Sequence, residues 1–137
     1  GQMGLLSGTR PANLGVVNGK LSPCKPTPNC VSSQADSADA GHFIAPLAFK
    51  GDPARAWDAL RRVVRESERV AVIRDEQGYL YAEFTSRLMG YVDDTEFVLD
   101  PGGVIHVRSA SRLGRKDFGV NRQRIEAIRQ RWIEVLR

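Results

Sequence analysis

The sequence predicts an α+β domain in which two helices cover one face of an antiparallel sheet. Two observations lead to this prediction. Four consecutive segments rich in aromatic and β-branched residues lie between two amphipathic helical segments, and short turn-forming stretches connect them. Because strands joined by short links pair antiparallel, we expect a four-stranded meander in a two-layer sandwich, preceded by an irregular N-terminal arm.

Each helix is predicted from apolar residues that recur at helical spacing. The first begins at Asp52-Pro53 and runs to about Ser67, because Asp is a favoured N-cap residue and Pro fits the first helical position. The second begins at Phe118 or Val120 and runs nearly to the end of the chain. Arginines dominate the remaining faces of both helices, as expected for helices that bury only one stripe.

The register of the last two strands decides which side chains meet. The four predicted strands are Arg69 to Arg74, Tyr79 to Ser86, Tyr91 to Leu99, and Val104 to Ser111. Folding the last two about Pro101-Gly102 predicts the pairs Leu99 with Val104, Phe97 with His106, Thr95 with Arg108, and Asp94 with Ser109. In this register Asp93 lies diagonal to Arg108, whereas Asp94 and Glu96 point to the other face. A slip of one residue exchanges these partners.

Residues 1–41 show neither a helical nor an alternating period, and Gly, Pro, Asn and Ser interrupt them often. We interpret them as an irregular arm and residues 42–137 as a single α+β domain, which agrees with the length of 137 residues. The chain begins Gly1-Gln2-Met3, from which we expect that a further N-terminal segment precedes it.

The two cysteines predict a disulfide within the arm. Pro26 and Pro28 lie between Cys24 and Cys30 and favour a bent loop that brings the sulfurs together. Because disulfides persist outside the reducing cytosol, this pairing points to an exported, periplasmic protein. Free thiols are one alternative. Metal ligation with His42, or redox catalysis, is another, although the ligands are too few for a zinc site and the spacing is not C-x-x-C.

Charge and hydropathy limit the classes of partner that the sequence predicts. The net charge is +4, and the segment from Arg112 onward holds eight Lys or Arg against three acidic residues. Such asymmetry indicates either an anionic partner or a solvated basic helix. We expect no nucleic acid, because there is no row of stacking aromatics and export separates the protein from it. We also expect no transmembrane segment, since no apolar stretch approaches about 20 residues.

Acidic residues of the third strand form one candidate site. Asp93, Asp94 and Glu96 lie near a basic and hydroxyl-bearing set, Ser86, Arg87 and Arg108. This set can hold a cation, perform acid-base chemistry, or form cross-strand salt bridges. If the set performs acid-base chemistry, the alternative function is that of a hydrolase or isomerase that uses Asp93, Asp94 or Glu96 with Arg108.

The passage from the last strand to the last helix forms a second candidate site. Gly114 and Gly119 flank Arg115 and Asp117 just before the helix, where backbone amides and the positive end of the helix dipole can receive a phosphate or carboxylate. The alternative is structural. In that case Arg108, Arg112 and Arg122 tie the loop to Asp93 and Asp94.

Four separated motifs resemble those of the domain of unknown function 1499 family. They are Pro28-Asn29-Cys30-Val31-Ser32-Ser33, Asp93-Asp94-Thr95-Glu96-Phe97, Arg108-Ser109-Ala110-Ser111-Arg112-Leu113-Gly114, and Asp117-Phe118-Gly119-Val120-Asn121-Arg122. The resemblance covers about residues 14 to 131. It implies an exported envelope or chloroplast-type protein, often anchored through a hydrophobic N-terminal segment. It implies no catalytic residue.

We therefore predict an exported, non-enzymatic envelope module without a cofactor or metal, which binds an anionic ligand such as a lipid head group or an acidic envelope protein. The candidate ligand-binding residues are Ser86, Arg87, Asp93, Asp94, Glu96, Arg108, Ser109, Ser111, Arg112, Gly114, Arg115, Asp117, Asn121 and Arg122.

Overall fold

Six strands and two helices form the fold of residues 6–137, the part of the chain that the computed structural model describes. In chain order they are β1 (Cys30–Ser32), β2 (Leu47–Ala48), α1 (Pro53–Arg65), β3 (Val70–Glu76), β4 (Tyr79–Thr85), β5 (Val92–Asp100), β6 (Val104–Ser111) and α2 (Val120–Leu136). Residues 1–3, on which the expectation of a preceding segment rests, lie outside the described residues.

Strands β3 to β6 form the predicted antiparallel meander. The prediction of four strands is wrong, however, because the sheet has six: its order is β1-β6-β5-β4-β3, and β2 also pairs with β6. Both added strands are too short to produce a periodic signal in the sequence. They pair with the outer edge of β6 and satisfy backbone groups that would otherwise be exposed.

The N-terminal arm covers the face of the sheet that the helices leave open. Its Leu21 packs with Tyr79 and Tyr81 of β4 in a small apolar cluster. The arm also supplies β1, which pairs Cys30 with Ala110 of β6. The sheet is therefore covered on both sides.

The helices begin and pack as the sequence indicates. The side chain of Asp52 caps α1 by accepting a hydrogen bond from the N–H of Ala54 at 3.0 Å. Both helices contribute to one apolar core against the sheet, and Trp132 of α2 donates from its indole N–H to the C=O of Ala56 at 3.0 Å. The prediction of two helices on one face is thus confirmed.

The turn between β5 and β6 is shorter by one residue than the sequence suggested. Asp100 pairs with Val104, and the N–H of Gly103 donates to the C=O of Asp100 at 3.0 Å. Gly103 has φ of +129°, a conformation that favours glycine. The predicted register is therefore wrong by one residue. The observed pairs are Leu99 with Ile105, Phe97 with Val107, Glu96 with Arg108, Thr95 with Ser109, and Asp94 with Ala110.

Cys24 and Cys30 form the predicted disulfide, with Cα atoms 5.7 Å apart. Cys30 is the first residue of β1, so the bridge links this strand to the preceding part of the arm. His42 is not a third ligand beside the sulfurs. Its ring nitrogens lie 2.7 Å from a carboxylate oxygen of Asp39 and 2.9 Å from the C=O of Thr27.

Replacing both Cys24 and Cys30 with Ser is expected to lower the free energy of unfolding by about 2 kcal/mol, because the bridge closes a short loop in the unfolded chain. Urea unfolding followed by tryptophan fluorescence measures this change. Adding a reductant to the native protein should produce the same loss and should leave the double variant unaffected. A difference near zero would contradict a stabilising role of the bridge.

Candidate functional site

The candidate site residues lie on two opposite faces of the sheet, because successive side chains of a strand point to opposite faces. Asp93, Ser109 and Ser111 face the helices. Asp94, Glu96, Arg108 and Arg112 face the arm. The expected proximity of Asp93 to Arg108, and of Ser109 to Asp94 and Glu96, is therefore wrong, and the one-residue change of register is the reason.

Asn121 is the centre of the polar cluster on the helix side. It lies in the first turn of α2 and is fully buried. Its side-chain carbonyl accepts from the hydroxyl of Ser109 at 2.7 Å, and its amide donates to Ser111 Oγ at 2.9 Å and to Asp117 Oδ2 at 2.8 Å. The same amide donates to the C=O of Asn29 at 3.3 Å. One side chain thus ties α2 to β6 and to the arm.

Arg124 belongs to the same cluster, although the sequence analysis did not select it. It donates to Asp93 Oδ2 at 2.7 Å and to the side-chain carbonyl of Asn121 at 2.9 Å. Its guanidinium lies 4.9 Å from the ring centre of Phe84. The spacing of three residues from Asn121 along α2 was the available signal, since residues three apart share a helix face.

The start of α2 is occupied by a carboxylate of the chain itself. Asp117 accepts hydrogen bonds from the N–H of Gly119 at 2.9 Å and from that of Asn121 at 3.1 Å. Burial alone would raise the pKa of Asp117, but these hydrogen bonds hold it below its usual range. The amides that the sequence offered to an external anion are thus already engaged.

The arm side of the sheet holds a denser ionic network around Asp94. Arg112 binds both carboxylate oxygens of Asp94, each at 2.9 Å, and also contacts Glu83. The hydroxyl of Tyr81 donates to Asp94, and Arg10 of the arm binds Glu83 at 2.7 Å. The hydrogen bonds to Asp94 raise the pKa of Arg112, whereas burial raises that of Tyr81. Arg112 and Asp94 are thus a desolvated bidentate pair.

Glu96 and Arg108 lie beside this network as a looser buried pair. One oxygen of Glu96 accepts from the hydroxyl of Tyr79 at 2.5 Å and from the N–H of Gly15 at 2.8 Å. The other is 3.8 Å from Arg108 Nη1. Within residues 6–137, this second oxygen and Arg108 Nε have no hydrogen-bond partner. Arg108 is only 5% exposed, and its burial lowers its pKa in spite of the nearby carboxylates.

A cavity of about 170 Å³ lies between the arm and this face of the sheet, and we name it the arm cavity. Arg108, Arg112 and Asp94 line its interior. Ala110 and Ser111 of β6 complete the lining together with arm residues, including the exposed Thr9, Asn13 and Lys25. The arm cavity therefore presents three cationic side chains and one carboxylate, which Arg112 already binds.

The other candidate residues lie outside these two clusters. Ser86 Oγ accepts from the N–H of Tyr91 and closes the turn between β4 and β5. Arg122 donates to the C=O of Ala40 at 3.2 Å, so it does not bind Asp93 or Asp94. Arg87, Gly114 and Arg115 are exposed on loops.

Tyr79, Tyr81 and Glu83 are the residues that the sequence analysis missed on the arm side. They alternate along β4 and lie on the same face as Asp94 and Glu96 of the next strand. That alternation of polar-tipped side chains was the available signal. The arm residues that line the arm cavity gave no comparable signal, because they follow no period.

The sheet, its two helices and its two buried ionic clusters define a small α+β domain that buries charge on both faces of its sheet. The chain belongs to the family described as Protein of unknown function (DUF1499), whose model matches residues 20–132. A comparison with curated proteins gives no match, and neither does a comparison with solved structures.

Two further findings concern metals and membranes. Across residues 6–137, no group of three or more His, Cys, Asp or Glu is placed to hold a metal ion. No helix in this same part of the chain is long and apolar enough to cross a bilayer.

The free energy of unfolding is expected to fall as the pH rises above about 6.5, because His42 loses a proton. Both of its ring nitrogens face acceptors, Thr27 O and Asp39 Oδ2, so only the charged ring donates to both. These bonds raise the pKa of His42 above its unfolded value, so its stabilisation is complete below pH 6.5 and disappears through the folded pKa. Urea unfolding across this range, with an NMR titration of the ring, measures both quantities.

The variant His42→Gln is the control, because it removes this titration and leaves the other titratable groups of the chain in place. Its stability should change less with pH than that of the native protein. A folded pKa of His42 at or below 6.5 would contradict the prediction.

Proposed function

We propose that this protein is a non-enzymatic binding module whose arm cavity receives a small anionic group, a phosphate or a carboxylate. The observation that carries the proposal is the buried guanidinium of Arg108. It lines the arm cavity, and within the described residues its Nε has no hydrogen-bond partner. A buried donor without a partner is unfavourable by roughly 1–3 kcal/mol, and an anionic oxygen is the strongest acceptor it can meet.

The charges around the arm cavity support an anion rather than a cation. Glu96 compensates Arg108 only from 3.8 Å, whereas Asp94 is bound on both oxygens by Arg112. Lys25 adds a further positive charge at the rim. The side chains that line the arm cavity thus carry a surplus of positive charge. Guanidinium groups bind phosphate and carboxylate oxygens through planar, directional hydrogen bonds.

The size of the arm cavity supports a small ligand group. Its volume of about 170 Å³ equals that of roughly five or six molecules of liquid water. This volume accommodates a phosphate or a short carboxylate. It also accommodates the anionic group of a lipid head group, if the remaining atoms of the head group extend past Thr9 and Lys25 at the rim. A folded partner can reach the arm cavity only with a protruding acidic side chain.

The alternative, a hydrolase or isomerase based on Asp93, Asp94 or Glu96, has less support. A general acid or base must be able to exchange a proton with a substrate. Asp93 is bound by Arg124 and Asp94 by Arg112, and they lie on opposite faces of the sheet. Glu96 is fully buried and does not line the arm cavity.

We also propose that the protein acts in an oxidising compartment outside the cytosol, in the periplasm of the envelope. The disulfide between Cys24 and Cys30 supports this, because reducing systems remove such bridges in the cytosol. The family resemblance of the sequence agrees with it.

Export predicts that Cys24 and Cys30 are oxidised in the cells that produce the full-length protein. Alkylation of acid-quenched cells, followed by mass spectrometry, should find both cysteines protected until a reductant is added. If both are alkylated without reduction, the protein resides in a reducing compartment and the proposal of export fails.

Anion binding predicts that Arg108→Lys weakens the affinity for inorganic phosphate about tenfold or more, because Lys has neither the Nε donor nor the planar geometry. Lys25→Gln should weaken it about threefold, as expected for an exposed charge. Isothermal titration calorimetry with phosphate, glycerol 3-phosphate and acetate measures the affinities. Stronger binding of glycerol 3-phosphate would identify the lipid head group as the source of the phosphate.

Lys20→Gln is the matched control, since it removes an exposed arm cation that does not line the arm cavity. The affinity of the Lys20→Gln variant for phosphate should equal that of the native protein. Amide NMR shifts on adding phosphate should centre on Lys25, Arg108 and Arg112. Shifts confined to residues 114–122, or equal affinity of Lys25→Gln and the native protein, would refute the arm cavity as the site.

A further inference from the structure

Two loops at one end of the sheet carry most of the exposed apolar side chains of the described chain. They are the β4–β5 loop, residues 86–91, and the β6–α2 loop, residues 112–119. We name the apolar tip the set Leu88, Met89, Tyr91, Leu113 and Phe118 of these loops together with Val120, the first residue of α2. Six of the nine large hydrophobic residues that are exposed in residues 6–137 belong to it. Soluble proteins seldom concentrate exposed apolar side chains in this way unless they are covered by a partner.

The two loops are neighbours in space. A groove of about 320 Å³ lies between them, lined by Tyr91 from one loop and by Leu113 and Phe118 from the other. Backbone pairing brings them together, because the N–H of Arg112 donates to the C=O of Val92 at 3.2 Å. Both loops therefore contribute apolar side chains to one groove, and Leu88 and Met89 lie on the same loop as Tyr91.

Phe118 is held away from the protein by its backbone. It is 91% exposed and has φ of +53°, a left-handed conformation that is rare for an aromatic residue. Hydrogen bonds from Gly119 and Asn121 to Asp117 fix the loop on either side of it. Leu88 of the other loop is 89% exposed.

Cations surround the apolar tip. Arg87, Arg115 and Lys116 are exposed on the same loops, and none of them forms an ion pair within residues 6–137. The acidic residues at this end of the sheet are already engaged: Asp93 binds Arg124, and Asp117 caps α2. Exposed apolar side chains bordered by unpaired cations are the pattern of proteins that bind an anionic membrane surface.

We propose that the apolar tip docks this domain onto the surface of an anionic phospholipid bilayer. Leu88, Met89 and Phe118 enter the boundary between head groups and acyl chains, while Arg87, Arg115 and Lys116 lie among the anionic head groups. This contact does not use the buried guanidinium groups of the arm cavity. It places the domain against the membrane surface.

Co-sedimentation with vesicles tests the docking. The native domain should bind vesicles of phosphatidylglycerol and phosphatidylcholine, and bind those of phosphatidylcholine alone much more weakly. The double variant L88S/F118S should lose binding at least tenfold, because it removes the two most exposed apolar side chains of the tip. R115Q should weaken binding about fivefold, in line with one cation near an anionic surface.

Matched controls separate the apolar tip from general effects. V17S removes an exposed apolar side chain of the arm, and K50Q removes an exposed cation beyond β2, near the opposite end of β6. Both should bind vesicles like the native domain. L88S/F118S, whose two positions do not line the arm cavity, should bind inorganic phosphate like the native domain, so a failure of the arm cavity and a failure of the apolar tip are distinguishable.

Two results would overturn the proposal. One is equal vesicle binding by L88S/F118S and the native domain. The other is a concentration-dependent dimer that L88S/F118S abolishes, in a domain that binds no vesicles, which would assign the apolar tip to a second copy of the chain.

Discussion

The register of β5 on β6 is the constraint on which the rest of the molecule depends. Both strands carry polar side chains on both faces, and this register matches them: Thr95 meets Ser109 at 2.9 Å on the helix side, and Glu96 lies beside Arg108 on the arm side. A slip of one residue would turn Glu96 into the apolar core, where an uncompensated carboxylate is very unfavourable. The short turn at Gly103 holds the register, and so determines which side chains meet.

The arm and the buried charges beneath it depend on one another. Arm residues supply the N–H of Gly15 to Glu96 and the guanidinium of Arg10 to Glu83. The charged face in turn provides specific polar partners for the arm. A buried ion pair adds little net stability, but one that loses a partner is strongly destabilising. Displacing the arm is therefore unfavourable.

The sequence predicted those features that follow from periodicity and local chemistry. The cap at Asp52, the four long strands, both helices and the disulfide belong to this class. It did not predict the strand at Cys30, because three residues carry no period. It also placed Arg108 beside the wrong carboxylate. The turn between β5 and β6 has three residues rather than the predicted four, so every pair of residues across these two strands shifts by one position.

Ser111 lies where the two proposed surfaces meet, since it lines both the arm cavity and the groove of the apolar tip. The next residue, Arg112, lines the arm cavity, and Leu113 belongs to the apolar tip. The two residues after β6 thus contribute to different surfaces: Arg112 is a buried cation of the arm cavity, and Leu113 is an exposed apolar side chain of the apolar tip. The arm cavity depends on buried packing that few substitutions preserve. The apolar tip depends on exposed side chains, which can be replaced without disturbing the fold of the domain. Docking through the tip would hold the arm cavity close to the lipid head groups.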